Sequence, residues 1–137
     1  MAITLPPDYK PHDKEEFMNP LQLEYFRKRL ADWRGQLLKE SNGTISTLRT
    51  STSSAADATD RASVESDRAL ELRTRDRSRK LIAKIDDALR RIEDGSYGYC
   101  EETMQPIGVR RLEARPIATL SIEAQERHER LERQYRD

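Results

Sequence analysis

The sequence predicts a mainly α protein: a long antiparallel coiled-coil hairpin on a small globular base, then a compact turn-rich module and a C-terminal helix. Three observations predict it. Ala, Glu, Lys, Leu and Arg supply close to half of the 137 residues, the composition of long helices. Two stretches carry apolar residues at alternating spacings of three and four, and the small polar tract TSTSSAADAT at 50–59 lies between them. Charged residues make up 36% against 35% hydrophobic, too polar for a large core but sufficient for helices that each bury one seam.

The elements follow in order. Residues 1–18 read as an arm, because Pro6, Pro7 and Pro11 forbid a helix there; it is expected to be extended and to lie against the body of the protein. The hairpin occupies 19–95. Asn19 is a good N-cap and Pro20 fits the first helical position, where a missing N–H costs nothing. Leu23, Phe26, Leu30, Trp33 and Leu37 then mark one face, Ile45 and Leu48 prolong it past Gly43, and the pattern fades at Arg49. A second helix starts near Asp57 or Asp60, carries Leu81 or Ile82, Ile85, Leu89 and Ile92, and stops at Gly95. About 30 residues per arm give roughly 45 Å of rod. The seam is strongest away from the turn, so the base is anchored and the tip, at about 50–62, is solvated. Residues 96–120 contain Gly98, Pro106, Gly108 and Pro116 and read as a small module with a short β-hairpin around Ile107 to Val109. Ser121 caps a last helix over 121–137, with Ala124, His128, Leu131 and Tyr135 on one face.

Composition excludes several classes. Twenty-five basic and 25 acidic residues cancel, which argues against a protein whose main task is to grip nucleic acid. One cysteine excludes a disulfide scaffold and an all-cysteine metal site within the chain. No apolar run is long enough to span a membrane and none reads as a signal peptide, so a cytoplasmic protein is expected. There is no glycine-rich phosphate loop, no Ser-His-Asp set and no HExxH, and His12 and His128 lie far apart in sequence; an enzyme is not expected.

Three constellations carry chemistry. Cys100 and Thr103, then 17 residues, then Ser121 and Ala124 have the spacing of a four-thiolate zinc knuckle with one thiolate left. The module is therefore zinc-finger-like but degenerate, with small residues where ligands would point; the rival reading is a redox or metal site at Cys100. Structural zinc contributes roughly 10 kcal/mol or more to folding, so Tyr97, Tyr99, Ile107, Leu112 and Leu120 are expected to compensate. Asp57 and Asp60, three apart at a helix start, suit N-cap and first-turn positions, or present acidic groups at the tip to a cation or basic site. The run from Arg73 to Lys80 holds five basic residues in eight, splayed around more than one face. It reads as a solvated surface partnered by Glu65, Asp67 and Glu71, or as an anion or acidic-protein contact joined by Lys84, Arg110, Arg111 and Arg115.

DATDRAS at 57–63, ELRTRDRSRKLIAKI at 71–85, GYC at 98–100, IGVRRLEARPIATL at 107–120 and MNPLQLEYFRKRLADWRGQL at 18–37 together resemble the DksA family, bacterial regulators that bind RNA polymerase. The resemblance covers nearly the whole chain. It implies a coiled coil that enters the polymerase secondary channel, with tip residues matching Asp57, Asp60 and Ala62 near the active centre and Arg77 contacting polymerase. It implies destabilised promoter complexes, most visibly at ribosomal RNA promoters, and potentiation of guanosine tetraphosphate as co-effector, with alarmone-contact positions at Leu81, Lys84 and Arg115. It implies a monomer that binds no specific DNA sequence. Two departures stand out. The family's zinc ligands survive only as Cys100, a pattern similar to the zinc-independent branch seen in alphaproteobacteria, so no metal is required. A family lysine near the alarmone falls on Gln125. The competing readings are a thiol or metal sensor centred on Cys100 and a structural coiled-coil adaptor.

Overall fold

Local chemistry sets the helix ends. The computed structural model describes residues 4–52 and 58–136, with side chains over 4–42 and 61–135. Helix α1 runs Pro20–Thr52. Asn19 Oδ1 accepts the Gln22 N–H at 2.9 Å, and the Leu23 N–H donates to the Asn19 carbonyl at 3.0 Å, so the cap is formed by side chain and backbone together. Helix α2 runs Ala58–Asp94. It ends at Gly95, whose φ of 86° lets the N–H groups of Gly95 and Ser96 both reach the Arg91 carbonyl, at 2.9 and 3.0 Å. Helix α3 is the single short piece Val109–Ala114. Helix α4, Ile122–Arg136, is capped by Ser121, whose Oγ accepts the Ala124 N–H at 3.2 Å.

Two sequence expectations change. α1 continues through Gly43 and past Arg49 to Thr52, so the polar tract between the helices is shorter than 50–59. Among the described residues there is no strand: the β-hairpin expected around Ile107 to Val109 is one isolated antiparallel bridge, Tyr99 with Pro106, and Val109 already opens α3. The Met104 N–H closes the turn on the Cys100 carbonyl at 2.9 Å on one side of the bridge, and on the other Gly108, at φ 106°, turns the chain into the helix.

The chain forms two compact units. The first, Met1–Leu30 with Asp87–Asp137, holds most of the apolar core: Phe26, Leu30, Ala88, Tyr97, Ile107, Leu112 and Ala124 are all buried. Burying one such large side chain stabilises by about 1.5–3 kcal/mol. The Phe26 and Tyr97 rings meet at 5.7 Å, and the Tyr97 hydroxyl donates to the Pro116 carbonyl at 2.8 Å. Burial pushes that phenol up, so it remains a donor. Tyr25 donates to Glu113 at 3.0 Å, and the Arg111 Nε donates to the Leu120 carbonyl at 2.9 Å.

The second unit, Ala31–Asp86, pairs the remainder of α1 with most of α2. Leu37 and Ile85 are buried in its seam, and Arg34 Nε reaches Asp86 Oδ1 at 2.6 Å from one helix to the other. Ser78 is buried in line with Ile85, and Val64, Arg68 and Glu71 are half-buried on the same face. The seam thus continues into polar side chains, as the fading periodicity implied. No described helix is long and apolar enough to cross a membrane.

Candidate functional site

The basic run on α2 resolves into two groups. At 100° per residue, Arg73, Arg77, Lys80 and Lys84 fall within about 60° of arc along roughly 16 Å of helix. All four are exposed, and none has an ion-pair or hydrogen-bond partner among the described residues. Arg75 and Arg79 point elsewhere, and Arg79 is paired with Asp76 at 3.1 Å. The run does splay around more than one face, but Arg73, Arg77 and Lys80 share one of them, and Lys84 prolongs it into the stripe that was not expected. Four like charges about 4.5–6 Å apart along the axis repel one another. They are relieved by an acidic surface or by phosphate oxygens. Leu81, half-buried, lies at the edge of the stripe, and Leu70, 59% exposed, continues it by one turn. Glu65, Asp67 and Glu71, the expected internal partners, do not pair with it.

Other expected contacts are distributed differently. Ala62 is exposed on the first turns of α2. Asp57, and the side chain of Asp60, lie outside the described residues. Arg115 closes α3 with its N–H on the Arg111 carbonyl at 2.7 Å, and its side chain is exposed without a partner among the described residues. Arg110 pairs with Asp13 at 3.4 Å and Arg111 serves the backbone, so neither is as free as Arg115. Gln125 donates to Glu129 at 3.3 Å and supplies no positive charge.

The degenerate knuckle lies in the first unit. Cys100 is fully buried. Burial pushes its thiol up, but hydrogen bonds from the Thr103 hydroxyl and from the backbone N–H groups of Ser121, Thr103 and Glu102 outweigh that and bring it down to about 6. Thr103 and Ser121 thus both lower the thiol, and Ala124, fully buried, is tied to Ser121 through the cap. Zinc needs four nitrogen, sulfur or oxygen donors. Here one thiolate is present, the Ser121 hydroxyl is committed to the helix cap and Ala124 carries no donor. No group of three or more His, Cys, Asp or Glu among the described residues could hold a metal ion. The residues do not fit a structural zinc. Tyr97, Ile107 and Leu112 fill the core as expected, with Tyr99 and Leu120 half-buried beside them.

The last helix corrects one expectation. Ala124 is buried and His128 contacts Glu102, but Leu131 and Tyr135 are 45% and 87% exposed, so the seam is covered only in its first half. Sequence reasoning also missed Gln22, a fully buried polar residue. It named Arg73, Arg77, Lys80 and Lys84 but missed that they share one face, although their spacing of four, three and four was the available signal.

These features define a helical-hairpin protein with a C4-type knuckle reduced to one cysteine. The chain belongs to the DksA family. The DnaK suppressor protein DksA N-terminal domain matches residues 22–92, and the prokaryotic dksA/traR C4-type zinc finger matches 95–130. The RNA polymerase-binding transcription factor DksA of Caulobacter vibrioides is 65% identical over 130 residues, 95% of this chain and 92% of that protein. The protein of that name from Escherichia coli is 45% identical over 123 residues, 90% of this chain and 82% of that protein. The structure of transcription factor DksA2 from Pseudomonas aeruginosa superposes with a TM-score of 0.82 at 43% identity, covering 88% of this chain and 94% of that one.

Proposed function

We propose that this chain is a transcription factor that binds RNA polymerase through its secondary channel. Its hairpin carries Asp57, Asp60 and Ala62 toward the active centre, and Arg77 contacts the polymerase. It destabilises promoter complexes, those of ribosomal RNA promoters foremost, and potentiates guanosine tetraphosphate through Leu81, Lys84 and Arg115. Residues 1–18 and 96–137 hold the base, 19–95 supply the reach, and the protein acts in the cytoplasm as a monomer without sequence-specific DNA contacts. It supplies no catalytic group and needs no metal.

The observation that carries the reading is the cationic stripe of Arg73, Arg77, Lys80 and Lys84 on a chain of zero net charge. Those charges have carboxylates elsewhere in the same chain, yet among the described residues none pairs with them. An acidic protein surface relieves their repulsion, and the polymerase-binding names of the 65% and 45% identical relatives support that partner. Lys84 in the stripe and Arg115, which has no partner among the described residues, support an anionic co-effector.

The test is polymerase binding together with transcription from a ribosomal RNA promoter, with and without guanosine tetraphosphate. Asp57→Asn with Asp60→Asn keeps the shape and removes the tip charge. It is expected to abolish inhibition while binding stays within a few-fold. Undiminished inhibition would show the tip mechanism to be wrong. A thiol-sensor reading draws support from the lowered Cys100 thiol, but that sulfur is fully buried. Cys100→Ser is expected to leave transcription unchanged, and a large loss would favour the sensor.

A further inference from the structure

The N-terminal arm is fastened more firmly than a chain end of its composition requires. Gln22, in the first turn of α1, is fully buried, and both ends of its amide are spent on the arm. Its Oε1 accepts the Met18 N–H at 2.8 Å and its Nε2 donates to the His12 carbonyl at 3.4 Å. The Phe17 ring stands edge-on to Tyr99 at 5.5 Å, with the planes at 87°. Gly98 lies directly beneath. A Cβ built there would meet Met18 Cγ and Sδ at 3.1 Å and Phe17 Cζ at 3.2 Å, so the arm roofs this turn closely enough that any larger residue would push it outward by a few tenths of an ångström. The same Gly98 carbonyl accepts the Ile107 N–H at 2.7 Å, which closes the turn that carries Cys100.

In a four-thiolate module a metal ion ties this turn to the start of the last helix. Three of the four donors for that tie are absent here, and the arm packs on the same turn at Gly98 and Tyr99. We propose that Phe17, Met18 and Gln22 form a strap that closes the Cys100 turn from outside and stands in for the missing metal. The module's order then depends on residues some 80 positions earlier in the chain and not on an ion. The proposal uses only contacts within the first unit and is independent of the polymerase reading.

Three glycines make the test specific. Gly95, Gly98 and Gly108 all have left-handed φ, at 86°, 92° and 106°, so alanine is strained at each. Only at Gly98 does the added Cβ strike the arm; at Gly95 and Gly108 nothing lies within 4 Å. The readout is amide hydrogen exchange in the full-length protein at Cys100, Met104 and Ile107, whose N–H groups donate to Gln105, Cys100 and Gly98 carbonyls. Gly98→Ala is expected to speed exchange there on the order of tenfold beyond Gly108→Ala and Gly95→Ala. Phe17→Ala, which strains no backbone, is expected to do so relative to the unaltered chain, with Phe17→Leu restoring most of the protection. Treatment with EDTA is expected to change nothing. Wild-type exchange in Phe17→Ala overturns the strap, and so does a Gly98→Ala effect no larger than that of Gly108→Ala. Faster exchange after chelation overturns the claim that the strap replaces an ion. Should Gly98→Ala fail to fold, the Phe17 pair decides the matter alone.

Discussion

Removing the hydroxyl from Thr103 tests how the knuckle keeps a buried thiolate without a metal. Burial disfavours the charged form of Cys100, and hydrogen bonds bring the thiol down to about 6 in spite of it, the Thr103 hydroxyl being the largest of these. An ordinary cysteine titrates near 8.5, so the folded protein favours the thiolate more than an ordinary cysteine does. A hydrogen bond to a charged acceptor is worth about 1.5–3 kcal/mol, and one pKa unit corresponds to about 1.36 kcal/mol. Thr103→Val keeps the shape and deletes that donor, so the thiol is expected to rise by about one to two units. Thiolate ultraviolet absorbance, followed against pH in the folded protein, reads the change directly. If Thr103→Val titrates where the unaltered protein does, the hydroxyl is not holding the charge and the account of the knuckle fails.

The same shift has a consequence for stability, with a definite sign. The folded state lowers the thiol below its unfolded value, so it favours the deprotonated form. Its contribution is fully present above the unfolded value and is lost as pH falls through the folded value of about 6. Across that window the slope reaches at most about 1.4 kcal/mol per pH unit for one proton. Denaturant unfolding of the native protein and of Cys100→Ala, compared from alkaline to mildly acidic pH, should show the two curves converging toward acid. Parallel curves would contradict the shift.

Two further outcomes follow from burial and from charge. Leu112 is fully buried at the centre of the first unit, so Leu112→Ala is expected to cost about 2–5 kcal/mol in denaturant unfolding, and a loss below about 1 kcal/mol would contradict the packing. Arg73→Ala with Lys80→Ala removes half of the stripe without breaking any ion pair among the described residues. Stability should be unchanged, polymerase binding should weaken several-fold at low salt, and the gap should narrow as salt is raised; a gap independent of salt would mean that the stripe does not act through charge.

Much of the fold is written locally. Asn19-Pro20, the three-four spacing through Phe26, Leu30 and Leu37, Gly95 and Ser121 each fix a helix or its end with residues a few positions apart, and each is legible without knowing what packs where. The misses share a cause. Periodicity tells which face of a helix is apolar but not how far its partner extends. Leu131 and Tyr135 keep the rhythm of α4 after the module beneath it has ended. Gln22 reads as a solvated polar residue, because its burial depends on carbonyl and N–H groups of an arm that carries no helical pattern. The contact of Phe17 with Gly98 joins positions far apart in sequence, and nothing in either segment names the other. The short apolar piece after Pro106 suggested a strand, but the turn that Met104 closes on the Cys100 carbonyl and the start of α3 at Val109 leave room for only one bridge.

Net charge was the least informative quantity for the candidate site, because a sum hides how charges are spent. Asp86 is taken by Arg34, Asp76 by Arg79, and Asp87 by Arg90 and Arg91, whose hydrogen bonds, Arg90's first, hold its carboxyl below the usual range. Glu102 is taken by His128 and Arg127. These pairs consume carboxylates locally, at spacings of three or four along one helix or across neighbouring elements. Arg73, Arg77, Lys80 and Lys84 share one face of α2, and Asp76 beside them is spent on Arg79, so a neutral chain leaves a cationic stripe. Exposed like charges at this spacing gain nothing for the fold and cost a little through repulsion. Their alignment therefore argues for something outside the chain, and the salt dependence of binding is the property that separates such a partner from a merely solvated helix face.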